Sequence, residues 1–368
     1  MNSMKIKRIF VEKALEGEKR AEEIVNNFSP KEVFVVSDIR QANAYFEDFP
    51  DPLKEGKQSL YLGYFKGRFF EPCPCTKEYF RCGYWILSPA VGCVFDCSYC
   101  ILQAYLNAYP IQIYLNLDKL FDELRDWEEN HQAVSLRLGT GELADSLMLE
   151  PKLGIAQPLI EFFRERKNFI FELKTKSNEI DFLKELEPAE NIIISWSLNP
   201  PPYDEVEEKG TARVEERIAC ASELAELGWL VGFHFDPIII NIGLERYLDL
   251  IDALFEKVPA ERVAWISIGA LRFPAKLKTI ITERHPESKI LLGEMIVGRD
   301  KKFRYPRPIR ERFFKQMISR IQSHSRRVLI YLCMEDRLMW ERLFGISADI
   351  IKSELATLPS QRKHFKLE

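Results

Sequence analysis

Cys93-Val94-Phe95-Asp96-Cys97-Ser98-Tyr99-Cys100 puts three thiols, separated by three and two residues, on one tight loop just past the strand-like run Tyr84–Leu87. Three thiolates so spaced can bind three irons of a [4Fe-4S] cubane and leave the fourth iron without a protein ligand. A closed structural site, whether zinc or ferredoxin-type, takes a fourth thiolate or imidazole, and Ile101-Leu102-Gln103 supplies none. The other reading is a zinc knuckle completed by Cys73, Cys75, Cys82 or His131. Tyr99, directly before the last cysteine, is placed to exclude water from the loop or to relay a radical.

Outward from this loop the chain alternates two kinds of pattern. Apolar runs rich in β-branched and aromatic residues occur at Tyr84–Leu87, Ala133–Leu138, Phe169–Leu173, Ile192–Ser197, Trp229–Phe235 and Val263–Ile268. Between them, Leu117–Glu129, Ile155–Arg166, Arg213–Leu227 and Arg246–Lys257 have helical periodicity and supply the crossovers that parallel strands require. Periodicity alone leaves a doubly wound sheet and a complete or partial barrel both open, and in either the chemistry belongs at the carboxyl ends of the strands. Residues 1–83 read as an N-terminal α/β extension, 84–275 as the alternating core and 276–368 as a C-terminal α/β element. The tail is expected to hold helices at Lys276–Arg284, Ile309–Ile321 and Arg337–Leu343 and a strand at Val328–Leu332.

Those strand ends carry suitable groups. Gly139-Thr140-Gly141-Glu142 follows the second strand, where glycines permit close backbone approach and a carboxylate can accept from an ammonium or a ribose hydroxyl. The third strand ends at Lys174 and the fourth at Ser197 and Asn199, a cation beside hydroxyl and amide groups. Asp236 and Arg272 follow the fifth and sixth. His234, between Phe233 and Phe235, is read as a hydrogen-bonded core or rim histidine that can also face the site.

Composition excludes several classes. In 368 residues, 46% hydrophobic and 29% charged describe an ordinary folded protein, not a disordered or fibrous one. A net charge of −4 excludes a uniformly basic coat, so nucleic-acid binding requires a local patch. No apolar run reaches membrane-spanning length and the first residues have no signal-peptide core, so a cytoplasmic location is expected. Six of the eight cysteines lie between Cys73 and Cys100, a clustering that suits metal or redox chemistry rather than a disulfide framework.

The cysteine spacing, with an aromatic residue before its final cysteine, resembles the signature of the radical S-adenosylmethionine (SAM) superfamily. A closer resemblance, from about Lys66 to Gly345, is to the spore photoproduct lyase family and its relatives outside spore formers. It rests on Gly92-Cys93 through Tyr99-Cys100-Ile101-Leu102-Gln103, on Tyr114 to Asp118 and on Glu142 to Ser146. It continues through Gly228 to Pro237, Ser267 to Phe273 and Leu332-Cys333-Met334-Glu335. The resemblance implies a partial six-stranded (β/α) barrel. It implies a [4Fe-4S] cluster on Cys93, Cys97 and Cys100, and SAM held by Gly139, Thr140, Gly141, Glu142, Lys174, Ser197, Asn199, Asp236 and Arg272. The implied activity is repair of a UV-induced thymine dimer in DNA through a 5′-deoxyadenosyl radical, with a reducing partner such as flavodoxin or ferredoxin.

One departure stands out. The family's hydrogen-donating cysteine matches Gly139 here, so either another group donates or the reaction is of another kind, on RNA, a peptide or a small molecule. A non-enzymatic iron–sulfur or zinc protein is the remaining alternative. Cys73 and Cys82, in Cys73-Pro74-Cys75-Thr76 to Cys82, are candidates for redox or hydrogen transfer, with Cys75 beside them; the same thiols could ligate a metal. The basic and aromatic stretch Arg299 to Arg310 offers Lys301, Lys302, Arg304, Tyr305 and Arg307 as DNA contacts, matching a tail element that grips damaged DNA in the family.

Overall fold

Strands apolar on both faces need cover on both sides, and the order in which they pair separates the two architectures that periodicity left open. The computed structural model describes residues 5–131 and 134–362. Its main sheet holds seven parallel strands, β1 (Tyr84–Leu87), β2 (Leu136–Gly139), β3 (Phe169–Thr175), β4 (Ile192–Ser197), β5 (Leu230–Ile238), β6 (Val263–Ala270) and β7 (Ile330–Leu332). They pair in strict chain order, each with the next, and Phe70–Pro72 adds antiparallel outside β1. A doubly wound sheet reverses order at a switch point. This one does not, and it curls into a half-barrel.

All six expected strands form. Ala133 lies outside the described residues, and the strand expected there begins at Leu136. The seventh, β7, comes from the tail and pairs with β6, so the wall runs one strand further than the six expected. Helices cover the outside: α1 (Leu117–Asn130), α2 (Ala156–Arg164), α3 (Val214–Glu226) and α4 (Leu244–Lys257), followed in the tail by α5 (Ala275–Arg284) and α6 (Arg307–His324). On α1, Leu120 and Leu124 recur four apart and are both buried.

The N-terminal sheet has five strands, in the order Glu32–Val36, Arg8–Glu12, Ser59–Gly63, Ile111–Tyr114, Ala90–Val91. Its last two lie beyond residue 83 and flank the cysteine loop, which therefore hangs between the two sheets. A second tie is the short antiparallel pairing of Asp96–Cys97 with Glu208–Lys209.

Inside the half-barrel the strands turn polar. His234 is fully inside and makes the core interactions of a structural histidine: Nδ1 lies 2.6 Å from Ser267 Oγ and Nε2 2.7 Å from Glu172 Oε1. Trp265 Nε1 donates to the same carboxylate oxygen at 3.0 Å. Burial alone would push the Glu172 carboxyl up, but His234, and then Arg137, hold it well below its ordinary 4.5. Arg137 is buried among the rings of Tyr331, Tyr84 and Trp265, 4.5, 4.9 and 5.2 Å from their centres.

A carboxyl depressed on folding gives stability that is fully present above its unfolded value near 4.5 and is lost as pH falls toward the folded value. Glu172→Gln should cost about 3–5 kcal/mol at pH 7, because it leaves buried cationic partners uncompensated. It should also shrink the stability difference between pH 7 and pH 4; urea unfolding at both pH values measures each effect.

Candidate active site

The mouth of the half-barrel lies at the carboxyl ends of its strands, and the cysteine loop is fixed beside it from several directions. Lys57 Nζ donates to the carbonyls of Cys93 at 3.1 Å and Phe95 at 2.5 Å. Arg284, the last residue of α5, grips Asp96 with two contacts of 3.1 and 3.2 Å and also bonds Asp51 and Gln103. Gln103 Nε2 donates to Cys97 O at 2.9 Å. Ser98 and Tyr99 donate to the carboxylates of Glu207 and Glu208. The loop is thus pre-shaped by side chains from both ends of the protein.

The three thiols stand within electrostatic reach of one another. Burial first, then the Asp145 carboxylate, pushes the Cys93 thiol up to about 12. Cys97 is raised further, by burial foremost. Among the described residues no three His, Cys, Asp or Glu side chains converge as the ligands of a single ion would. Of the residues that could complete a zinc knuckle, Cys82 accepts from Arg137 and His131 Nδ1 lies against the Trp127 carbonyl. In a cubane each cysteine binds a different iron, so its ligands stand further apart, and three thiols on one loop with no fourth ligand fit that group. Binding would deprotonate all three.

Across the mouth, Glu142 and Lys174 form an ion pair with each other. Gly141 allows it, since a Cβ there would fall 2.6 Å from Lys174 Cβ. The two glycines are therefore needed for close approach of the protein's own side chains. At Gly139 a Cβ would lie 2.0 Å from Tyr84 Oη and 2.6 Å from the Glu172 carbonyl. Thr140 donates to Ser146 Oγ at 2.7 Å, and Asp145 binds Thr175 Oγ1 and Lys176 N, both at 2.7 Å, fastening the loop after β2 to the end of β3.

The fourth strand departs from expectation. Asn199 is buried and both ends of its amide are committed: Nδ2 donates to Glu208 Oε1 at 3.0 Å and Oδ1 accepts from Tyr247 at 2.8 Å. It braces the cluster loop, its amide turned toward Glu208, Tyr99 and Tyr247. Ser197 is buried at the end of β4, its carbonyl accepting from Arg217 at 2.8 Å. Arg272 clamps Asp236 at 2.9 and 3.2 Å, beside a register shift in β5 between Phe235 and Ile238. Burial opposes charge on Asp236, but Arg272 overcomes it and holds the carboxyl below its usual range.

The segment from Cys73 to Cys82 crosses the gap between the two edges of the half-barrel. Cys73 N bonds Tyr84 O at 2.9 Å on the β1 side, and Phe80 N bonds Glu335 O at 2.9 Å on the β7 side. Cys82 Sγ accepts from Arg137 at 3.2 Å. Cys73, pushed up to about 12 chiefly by burial, also senses Glu142, Cys82 and Cys75. Cys333 joins these thiols from the end of β7, bonded by Arg272 at 3.1 Å.

The basic stretch forms a hairpin, Ile296–Val297 against Phe303–Arg304, which pairs in turn with Arg272–Phe273. Its residues divide sharply. Arg304 points inward, bonded to Asp300 at 2.7 Å and to the Met334 carbonyl at 2.9 Å. Tyr305 is buried and donates to Asn241 at 3.1 Å, and Arg307 pairs with Asp336. Arg304 and Tyr305 are therefore structural, each buried and committed to partners inside the fold. Arg299 and Lys301 are exposed at the tip, next to exposed Ile296 and Val297, and Lys302 lies 5.8 Å from the centre of the Tyr105 ring.

Lys57, Glu208, Arg217 and Arg284 carry no motif and escaped the sequence reading. Only the burial of an unusual number of charges, which a sequence does not display, would have marked them. Cys97→Ala should abolish iron uptake on anaerobic reconstitution, whereas Cys220→Ala, on α3, should retain it; iron content and visible absorbance decide.

Comparison with known proteins agrees with this geometry. The family model described as spore photoproduct lyase matches residues 20–326. The spore photoproduct lyase of Bacillus subtilis (strain 168) is 24% identical over 245 residues, covering 66% of this chain and 70% of that protein. That of Clostridium acetobutylicum is 23% identical over 242 residues, 65% of this chain and 70% of its own. Among solved structures, a spore photoproduct lyase complexed with dinucleoside spore photoproduct superposes with a TM-score of 0.79 at 19% identity, over 90% of this chain and all of that one. A variant with bound AdoMet and dinucleoside spore photoproduct gives 0.73 at 19% identity, over 89% and 97%. The family match takes in the cysteine loop and six of the seven half-barrel strands, and on that extent the chain belongs to the spore photoproduct lyase family.

Proposed function

We propose that this chain is a radical SAM lyase that repairs a thymine dimer of the spore photoproduct type in DNA. The observation that carries the proposal is the meeting, at one mouth, of a three-cysteine loop with no fourth ligand and a matched ion pair, Glu142–Lys174. A [4Fe-4S] cluster on Cys93, Cys97 and Cys100 supplies, when bound, the electron that splits SAM into methionine and a 5′-deoxyadenosyl radical.

The chain's own residues hold and shield the reactants. Glu142 offers a carboxylate to the ammonium of SAM and Lys174 an ammonium to its carboxylate, exchanging their mutual contact for the two ends of the zwitterion. Gly139, Thr140 and Gly141 shape the backbone beneath, and Ser197, Asp236 and Arg272 border the same space. Tyr99, packed by its hydroxyl against Glu208, excludes water from the loop. Cys73 and Cys82 line the seam beside the same cavity, with Cys333 across from them. Lys301 and Lys302, with Arg299, present cations to phosphates at the hairpin tip, where Ile296 and Val297 supply an apolar edge for an unstacked base. A small electron carrier of the flavodoxin or ferredoxin class is the expected reductant.

Anaerobic reconstitution followed by incubation with SAM, reductant and UV-irradiated oligonucleotide should yield 5′-deoxyadenosine and restored thymines together. Deoxyadenosine without thymine would shift the reading to another substrate. Neutralising Arg299 and Lys301 should weaken DNA binding and lower its salt dependence by about two counterions, with substrate-free deoxyadenosine formation unchanged.

A further inference from the structure

Cleaving a carbon–carbon bond after a hydrogen atom has been removed leaves the product one hydrogen atom short, and some group in the cavity must return it. We propose that in this chain the returning group is the thiol of Cys333, an assignment that rests on the lyase reading above.

Geometry first removes position 139. A side chain there would fall 2.0 Å from the Tyr84 hydroxyl, so no donor can be carried at the end of β2 while Tyr84 stands. Tyr84 Oη is itself sealed from solvent. Tyr99 is buried and gives its hydroxyl to Glu208, so the remaining weak bonds to hydrogen at the mouth are thiols, and they differ in how they are held. Cys73, Cys75 and Cys82 sit on an irregular segment bridging two sheet edges. Cys333 directly extends a strand of the wall: its N–H bonds Ile268 O at 2.9 Å, continuing the β6–β7 register.

The turn after Cys333 is locked as well. Met334 takes a φ of +57°, in the left-handed region that few non-glycine residues adopt. Its carbonyl accepts from Arg304 at 2.9 Å, and the buried Glu335 carboxylate is held bidentately by Arg310 at 2.7 and 2.9 Å. Cys333 is half-buried, and its sulfur stands beside Arg272 and Asp236, both from strand ends at the mouth. Arg272, which clamps Asp236, donates to its sulfur at 3.1 Å, so the sulfur is fixed while its own hydrogen is retained. Burial and the Asp236 carboxylate keep the group a neutral thiol, the form that has a hydrogen atom to give.

The step balances simply. The carbon-centred product radical takes the hydrogen atom of Cys333 S–H, forming a C–H bond and leaving a thiyl radical. One electron from the low-potential carrier protein that also serves the cluster, and one proton from water, restore the thiol.

The test compares wild type, Cys333→Ala and Cys333→Ser as reconstituted holoenzymes on a lesion-containing oligonucleotide with SAM and dithionite. Iron content, 5′-deoxyadenosine, clean thymine and sulfur adducts of thymine are measured together. Both variants should keep iron and deoxyadenosine formation, while clean thymine falls at least about ten-fold in favour of adduct. Serine can still bond Arg272 and Asp236 but has too strong an O–H bond to donate, so rescue by serine would mean a positioning role and overturn the proposal. Wild-type thymine yield from Cys333→Ala overturns it too, as does diversion by Cys73→Ala or Cys82→Ala with Cys333→Ala clean. Should both variants lose their cluster, wild type in D2O still decides: the repaired methyl group must gain deuterium from an exchangeable donor, and its absence refutes a thiol. Wild type that forms deoxyadenosine but no thymine removes the lyase reading itself, a result distinct from all of these.

Discussion

A carboxylate wholly removed from water must be surrounded by donors, and Glu208 is where this fold concentrates them. Arg217 meets it at 2.6 Å with both side chains buried, Asn199 donates at 3.0 Å, Tyr99 gives its hydroxyl, and Lys176 stands 3.9 Å away. Burial would push the Glu208 carboxyl up; Arg217, followed by Lys176, holds it below its ordinary range. These partners come from the cysteine loop, the ends of β3 and β4, and α3. One buried charge therefore sets the position of the loop relative to the barrel wall, and removing Arg217 would leave that buried carboxylate short of compensating charge.

The same logic, repeated on a smaller scale, accounts for the rest of the mouth. Arg272 on Asp236, Lys174 on Glu142 and Arg310 on Glu335 each pair a cation with an acid from a different element. Such pairs contribute little net stability when buried, because desolvation offsets attraction, but they tolerate few alternative arrangements. A site that must hold a radical away from water and side reactions gains more from that restriction than from stability. Deeper in the half-barrel, Glu172, His234 and Arg137 form a polar floor beneath the mouth.

The departure at Gly139 changes the chemistry of the cavity and its packing together. The Tyr84 hydroxyl takes the space that a side chain at 139 would need, so restoring a residue there also requires moving Tyr84. Thiols gather instead along the seam between the two edges, where the segment containing Cys73, Cys75 and Cys82 closes against the strand that ends at Cys333. Closing that seam also joins the N-terminal and C-terminal parts of the chain, through Phe80 N on Glu335 O.

Local features were legible in the sequence because they depend on neighbours along the chain. The spacing of Cys93, Cys97 and Cys100, the six strand runs, the helices between them and the glycines after β2 all follow from short-range pattern. The barrel itself was legible only through resemblance, since strand order is a matter of pairing between residues far apart. The basic stretch shows the limit most clearly: Lys301 and Arg304 look alike in sequence, yet one sits exposed in the hairpin turn and the other, on the strand, is tied to Asp300. Asn199 likewise looked free for a cofactor until Tyr247 and Glu208 were folded against it. What the sequence by itself determined is the chemistry available, three thiols on one loop and acids and bases at strand ends. Which of those groups remain free to act was decided only in three dimensions, because a polar side chain is spent or spared according to what the tertiary fold buries beside it.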